Sequence, residues 1–282
     1  MPGGRSGSPS CHDDGVPDDP TVTIASPGLA TRVSGSHNAS STVALLHGFT
    51  QTGRSWGAVG AALTAQGHRV VTVDMPGHGG SADVRADLNG SGDLVTTAAG
   101  PAIYVGYSMG GRVALHAALR SPSAVRGLVL IGATAGISND AERTARRQDD
   151  ERLAAELERD GVEAFLVRWL ANPLFATLPA NAAGLADRRA NTTAGLAASL
   201  RQCGTGTQEP LWERLVAIDV PVAIVAGALD EKFCVIGRRL ASAIGANARF
   251  TTIPDAGHAA HLEQPGAVIS AITDITSITD PS

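Results

Sequence analysis

Ile103-Tyr104-Val105-Gly106-Tyr107-Ser108-Met109-Gly110-Gly111-Arg112-Val113-Ala114 reads as a strand, a tight turn and the start of a helix. The run Ile103 to Gly106 shows no polar alternation, as expected of a strand covered on both faces, and an Ala-rich stretch of helical composition follows Met109. Between them lies the pattern G-x-S-x-G. In a chain with 33 glycines the bare pattern is weak, and it is the strand-turn-helix setting that gives it meaning. A serine on so strained a turn needs glycine two residues away on each side, where side chains would collide. The segment therefore predicts a nucleophile elbow with Ser108 at its tip.

Outward from this stretch, aliphatic runs alternate with helix-length Ala-rich segments, the pattern of strand-helix repeats and a mostly parallel sheet. Eight strands are expected, near Val22 to Ala25, Ala30 to Val33, Val43 to Leu46, Arg69 to Asp74, Ile103 to Gly106, Gly127 to Ile131, Val220 to Ala226 and Arg249 to Ile253. From about Ile137 to Ala217 strand signals cease and helical segments follow one another. The expected division is thus a tail over 1–20, an α/β core over 21–136 and 218–282, and a helical cap over 137–217 inserted after the sixth strand. The first cap helix is expected over Asp140 to Arg159, capped by Ser138-Asn139. Its polar first half cannot be core; it is either a solvated face or a lid meeting a charged substrate. Between Ser81 and Ile103 the only helix candidate is Gly92 to Ala99, which predicts a stunted second sheet helix.

Composition narrows the function. The 282 residues carry 22 Lys and Arg against 27 Asp and Glu, a formal net charge of −5, which excludes a basic nucleic-acid surface. With 43% hydrophobic and only 17% charged residues, the chain has ample material for a core. No apolar run reaches the roughly 20 residues of a membrane span, and no secretory signal layout is seen at the N-terminus. Cys11, Cys203 and Cys234 have neither disulfide nor zinc spacing, so reduced thiols, a cytoplasmic location, no metal and no cofactor are expected. Fifteen of the nineteen residues from Pro2 to Pro20 are Pro, Gly, Ser or Asp, a composition expected to stay disordered. Lys232 is the only lysine.

A serine hydroxyl becomes reactive only when a histidine takes its proton and a carboxylate orients that histidine. Asp230 follows the seventh strand and His258 the eighth, so the order Ser108, Asp230, His258 brings all three to the C-terminal edge of a parallel sheet. His261, three residues further on, competes as the base, and Asp255 and Asp74 compete as the carboxylate; turn capping is their alternative role. His47-Gly48-Phe49-Thr50 follows the third strand, which makes the N–H groups of Phe49 and Met109 the candidate oxyanion-hole donors. The Gly-rich loop Asp74 to Ser81 lacks the Lys-Ser/Thr of a phosphate loop.

Taken together, Leu45 to Phe49, Asp74 to Ser81, Val105 to Ala114 and Gly257 to His261 resemble the α/β-hydrolase superfamily over about Val22 to Ile275. Within it the chain is similar to the 2-succinyl-6-hydroxy-2,4-cyclohexadiene-1-carboxylate synthases of menaquinone biosynthesis. The more specific features are Arg112 four residues after the serine, the run Glu142 to Asp150, and Asp230-Glu231-Lys232-Phe233. The resemblance implies a carbon–oxygen lyase that eliminates pyruvate from a small tricarboxylate, with Ser108 as base. It also implies that Arg112, Arg146 and Arg189 grip carboxylates, with Tyr107 and Trp169 shaping the pocket and Lys232 contributing charge; Arg143, one helical turn before Arg146, is expected to share its face. Leu170 departs from the family, which commonly has an aromatic residue after the cap tryptophan, and this predicts an altered pocket wall. The same triad would serve a serine esterase, thioesterase or carbon–carbon bond hydrolase, and the scaffold could serve a non-catalytic binding protein. Dehalogenase and epoxide-hydrolase chemistry would place Asp where Ser108 stands.

Overall fold

A computed structural model describes residues 22–24 and 28–279. The tail over 1–20, with Cys11, lies outside the described residues. Eight strands form one sheet: β1 (Val22–Ile24), β2 (Ala30–Ser34), β3 (Thr42–Leu46), β4 (Arg69–Val73), β5 (Ala102–Tyr107), β6 (Val125–Ile131), β7 (Val222–Gly227) and β8 (Ala248–Ile253). Their spatial order is β1-β2-β4-β3-β5-β6-β7-β8; β1 pairs antiparallel with β2, as does β2 with β4, and every other pairing is parallel.

The apolar runs of β3, β5 and β6 are continuous because these central strands are buried on both faces, whereas the edge strand β8 is largely exposed. Ala44, Leu46, Leu128 and Leu130 point into one core with Val113 and Leu115 of α3 (Met109–Arg120) and Leu240 of α7 (Glu231–Ile244). Their neighbours Val43, Leu45, Val129 and Ile131 point into the other core. It contains Val59 and Leu63 of α1 (Gly57–Ala65) and Val268 and Ile272 of α9 (Pro265–Thr279). Successive strand residues thus serve opposite layers, which fixes the register of the sheet.

The second sheet helix is not stunted. α2 runs from Leu88 to Ala99 because the Asp87 carboxylate accepts the Gly90 N–H at 2.7 Å and caps the first turn, four residues before the expected start. Gly90 and Gly92 hide that start by lowering helix propensity.

Between β6 and β7 the described chain forms helices and no strands: α4 (Asp140–Leu170), α5 (Leu185–Arg188), α6 (Thr193–Cys203) and single turns between them. The Asn139 side chain accepts the Ala141 and Glu142 N–H groups, which starts α4 where the sequence places it. The helix continues beyond Arg159, however, through a kink at Gly161 (φ 77°, ψ 171°), a conformation that favours glycine. Its apolar stripe begins only at Ala154 and, with Leu157 and Phe165, packs on Leu196, Ala197 and Leu200 of α6. The polar first half is correspondingly exposed except at buried Asp150 and half-buried Arg143 and Arg146. A short helix, α8 (Ala260–Glu263), precedes α9.

Candidate active site

Parallel strands β3, β5, β7 and β8 end at the same edge, and the turns leaving them build the site. Ser108 follows β5 with φ 50° and ψ −106°, a sparsely populated conformation held from both sides: its N–H donates to Ile131 O at 2.8 Å and its carbonyl accepts the Arg112 N–H at 3.1 Å. The flanking glycines are required by contact. A Cβ on Gly106 would lie 2.4 Å from the Gly110 carbonyl carbon, and one on Gly110 would lie 2.1 Å from Leu46 O.

His258 Nε2 faces Ser108 Oγ at 3.3 Å, and Nδ1 faces Asp230 Oδ2 at 2.8 Å. A carboxylate only accepts, so Nδ1 carries the proton and Nε2 is free to take the serine proton. Asp230 caps α7, its Oδ1 accepting the Phe233 N–H at 3.2 Å, which anchors the carboxylate that orients the ring. The competing residues stand elsewhere. His261 is buried behind Tyr107, their ring centroids 4.2 Å apart, and its Nε2 meets Gln51 Nε2 at 3.2 Å. Asp74 accepts the Gly53 and Gly80 N–H groups at 2.7 and 2.8 Å, a turn-capping role.

A cavity of about 130 Å³ opens over Ser108 and His258. Its walls are aromatic: Phe49 meets Trp169 edge to face at 5.2 Å, Trp169 meets Phe175 at 5.8 Å, and Phe233 lies 4.5 Å from the His258 ring. Leu170 is absent from the lining, and Phe175 supplies an aromatic face there. Phe49 and Met109 both line the cavity, and among the described residues no group accepts a hydrogen bond from either backbone N–H. A larger hollow of about 620 Å³ lies at the opposite end of the strands, around Ser40, Pro101 and Pro221, away from the triad.

The charges in the cavity are unbalanced. Arg112, Arg146 and Lys232 line it with Asp150. Arg146 Nε donates to Asp150 Oδ1 at 2.7 Å, while Asp150 Oδ2 accepts the Gly206 N–H at 2.9 Å. Arg112, one turn beyond Ser108, is only 7% exposed, and its Nη1 has no partner among the described residues. Burial, with Arg146 acting in the same direction, lowers its pKa to about 10, so it remains a cation at neutral pH. A buried guanidinium without an anion is unfavourable, and a carboxylate entering the cavity would relieve it. Trp169 Nε1 is a second buried donor without a partner.

Two expected arginines are not brought to the cavity. Arg143 turns back to the start of α4, donating to Asp140 Oδ1 at 2.6 Å and Ile137 O at 3.1 Å. Arg189 lies on the surface in a two-pronged pair with Glu163. Its neighbour Arg188 is the buried one, 3% exposed, donating to Ala183 O at 2.7 Å and to Thr50 Oγ1. Sequence reading also passed over Asp150 and Phe175; Asp150 had a signal in its position four residues after Arg146, where helical neighbours meet.

Two histidines join the loops beneath the site. His47 Nε2 accepts the Met75 N–H at 3.0 Å while Nδ1 donates to Gly48 O at 2.8 Å; His78 Nε2 accepts the Thr50 N–H at 3.3 Å while Nδ1 donates to Pro76 O at 3.0 Å. Each bond pattern requires a neutral ring. Burial depresses both, His78 to about 3. Among the described residues no group of three or more His, Cys, Asp or Glu could hold a metal ion, and no helix is long and apolar enough to cross a membrane.

The profile of the alpha/beta hydrolase family matches residues 43–271. The chain belongs to the α/β-hydrolase family. Within that family this α/β-hydrolase groups with the 2-succinyl-6-hydroxy-2,4-cyclohexadiene-1-carboxylate synthases. It is 36% identical over 240 residues to the synthase of Klebsiella pneumoniae subsp. pneumoniae, covering 82% of this chain and 91% of that protein. The structure of MenH from S. aureus superposes with a TM-score of 0.81 at 29% identity, over 88% of this chain and 98% of that one. An esterase from Thermogutta terrifontis has the same fold, with a TM-score of 0.77 at 24% identity over 93% and 98% of the two chains. For this α/β-hydrolase, then, the fold alone does not choose between hydrolysis and elimination.

Proposed function

We infer that the protein is a carbon–oxygen lyase. It eliminates pyruvate from 2-succinyl-5-enolpyruvyl-6-hydroxy-3-cyclohexene-1-carboxylate to give 2-succinyl-6-hydroxy-2,4-cyclohexadiene-1-carboxylate, the product for which its synthase relatives are named. The observation that carries this reading is the buried, unpaired Arg112 opening with Arg146 onto the cavity that holds Ser108. A neutral ester needs no such cations, whereas a tricarboxylate supplies the missing anions. Lys232 adds a third positive charge at the lining, and Tyr107 and Trp169 shape the pocket around the ring of the substrate.

In this reading Ser108 acts as a base and not as a nucleophile. His258, oriented by Asp230, draws the hydroxyl proton, and Ser108 removes a carbon-bound proton from the substrate. The electron pair left behind forms a ring double bond to the neighbouring carbon, the existing ring double bond shifts by one position and expels the enolpyruvyl oxygen, and the departing enolate takes up a proton to become pyruvate. Nucleophilic attack is disfavoured because carboxylates are poor electrophiles whose charge opposes an incoming anion. The N–H groups of Phe49 and Met109 would stabilise the negative charge that develops along this path.

Following pyruvate release and p-nitrophenyl ester hydrolysis side by side tests the assignment. Fast pyruvate formation with slow ester turnover is expected, with a deuterium isotope effect on kcat/KM at the abstracted position and no covalent adduct by intact mass. An acyl-Ser108 species trapped during turnover of the tricarboxylate would overturn the base mechanism.

A further inference from the structure

Phe49 and Thr50 are the central residues of a turn closed by Gln51 N–H donating to Gly48 O at 3.2 Å. Thr50 has φ 68°, a region that a β-branched residue rarely enters and that such turns usually fill with glycine. The turn's own bonds, Gln51 N–H to Gly48 O and Gly48 N–H to Gln51 Oε1 at 3.0 Å, join its ends and leave Thr50 unanchored. Thr50 is fully buried, and each of its polar groups is held from outside the turn. Its N–H donates to His78 Nε2, its hydroxyl accepts from Arg188 Nη1, and its carbonyl accepts the Asn191 Nδ2 proton at 2.8 Å.

Asn191 is the point at which these restraints meet. It is 5% exposed; besides Thr50 O, its Nδ2 reaches Arg188 O at 2.9 Å, and its Oδ1 accepts the Gly79 N–H at 2.9 Å. One carboxamide so ties three segments: the turn after β3, the Asp74–Ser81 loop and the chain leaving α5. Only an amide has both the donors and the acceptor that this arrangement uses. Arg188 and Asn191 both come from the chain inserted between β6 and β7, so the inserted segment restrains the turn whose Phe49 lines the cavity.

We propose that Asn191 is a positioning residue for the oxyanion-stabilising Phe49 amide, acting through Thr50 by holding it at positive φ. The proposal rests on the functional reading above for the identity of the reaction, but an amide aimed at developing negative charge serves ester hydrolysis equally. Asn191 should therefore matter for both substrates, unlike the carboxylate-gripping arginines.

Asn191→Asp keeps the shape, removes the donors and sets a carboxylate against Thr50 O. It is expected to lower kcat about 10- to 100-fold for pyruvate release and for p-nitrophenyl acetate alike, a fraction of the loss from deleting an oxyanion donor, with KM changed less than about threefold. The decisive measurement repeats this in a Thr50→Gly background, where positive φ no longer strains the chain; the Asn191→Asp loss in kcat should shrink at least about threefold there. Asn191→Ser, which retains one donor, serves where Asn191→Asp does not fold, with the same pattern at smaller size. An undiminished loss in the glycine background, a change confined to KM, or an unaffected ester reaction would each overturn the proposal. Should the unaltered protein release no pyruvate while the ester effect persists, the lyase reading fails and this one stands.

Discussion

Ser108, Asp230 and His258 stand on turns leaving parallel strands, whereas Arg146, Asp150 and Trp169 stand on helices inserted between β6 and β7. The strand ends share one edge because backbone hydrogen bonds fix their register, so a residue just beyond a strand has its place settled by the ladder. No ladder constrains the inserted helices, and identical residue types there have three fates. Arg146 reaches the cavity, Arg188 is buried beneath the Phe49–Thr50 turn, and Arg189 pairs with Glu163 in solvent. The sheet edge brings Ser108, Asp230 and His258 together, and side-chain packing of the insert selects which of its own arginines reach the cavity.

The sharpest way to break this division is to remove the strand-end groups. Ser108→Ala and His258→Ala should each reduce kcat/KM at least about 10³-fold on both tricarboxylate and ester, and the double variant little further, because the pair works as a unit. Losses that simply multiply would show that the two act separately.

Removing a charge that faces the cavity should discriminate between substrates. Arg112→Ala is expected to lose about 1.5–3 kcal/mol of transition-state stabilisation with the tricarboxylate, roughly 10- to 150-fold in kcat/KM, and far less with a neutral ester. Equal losses on both would mean that Arg112 supports the fold. Arg146→Ala should act in the same sense while also lowering Tm, since it leaves Asp150 buried without its charged partner.

The neutral histidines under the edge tie stability to pH. Burial lowers His78 from 6.5 in the unfolded chain to about 3 in the fold, so below pH 6.5 the unfolded chain binds a proton that the folded protein refuses. Its contribution is fully present above pH 6.5 and is lost as pH falls toward 3, by about 1.4 kcal/mol, or tenfold in the folding equilibrium, per pH unit. His47, His116 and His261 shift in the same direction. Urea unfolding between pH 7 and 5 should show this fall, and His78→Gln should make it shallower; an unchanged slope would mean that the folded protein accepts the proton.

The smallest effects are expected where the insert sends arginines to the surface. Arg143→Ala and Arg189→Ala should leave kcat/KM within about twofold, since exposed ion pairs contribute little. A tenfold loss in either would show that the insert moves during turnover and brings that side chain to the cavity.

The eight strands lie within about two residues of where the sequence places them, because continuous β-branched and aliphatic runs have no other stable use in a chain this size. The elbow was legible for a comparable reason: Gly106 and Gly110 are imposed by contacts a few residues away in the chain or on the adjoining strand. The start of α2 was concealed by glycines inside the helix, and the length of α4 by a kink that still permits helix on both sides. The fate of Arg189 was not legible, since the Glu163 that captures it lies 26 residues away, whereas Arg143 stands three residues after Asp140, a helical spacing at which such pairs meet.

By itself, then, the sequence determined what local periodicity and backbone sterics can encode: the sheet, the order of Ser108, Asp230 and His258, and the strained turn under the serine. Tertiary structure alone decided that Arg112 is buried with its Nη1 unpartnered, that His47 and His78 are neutral, and that Asn191 reaches Thr50 across 141 residues of chain. Those properties arise from which side chains exclude water from one another, and desolvation is set by neighbours distant in sequence that no local pattern specifies.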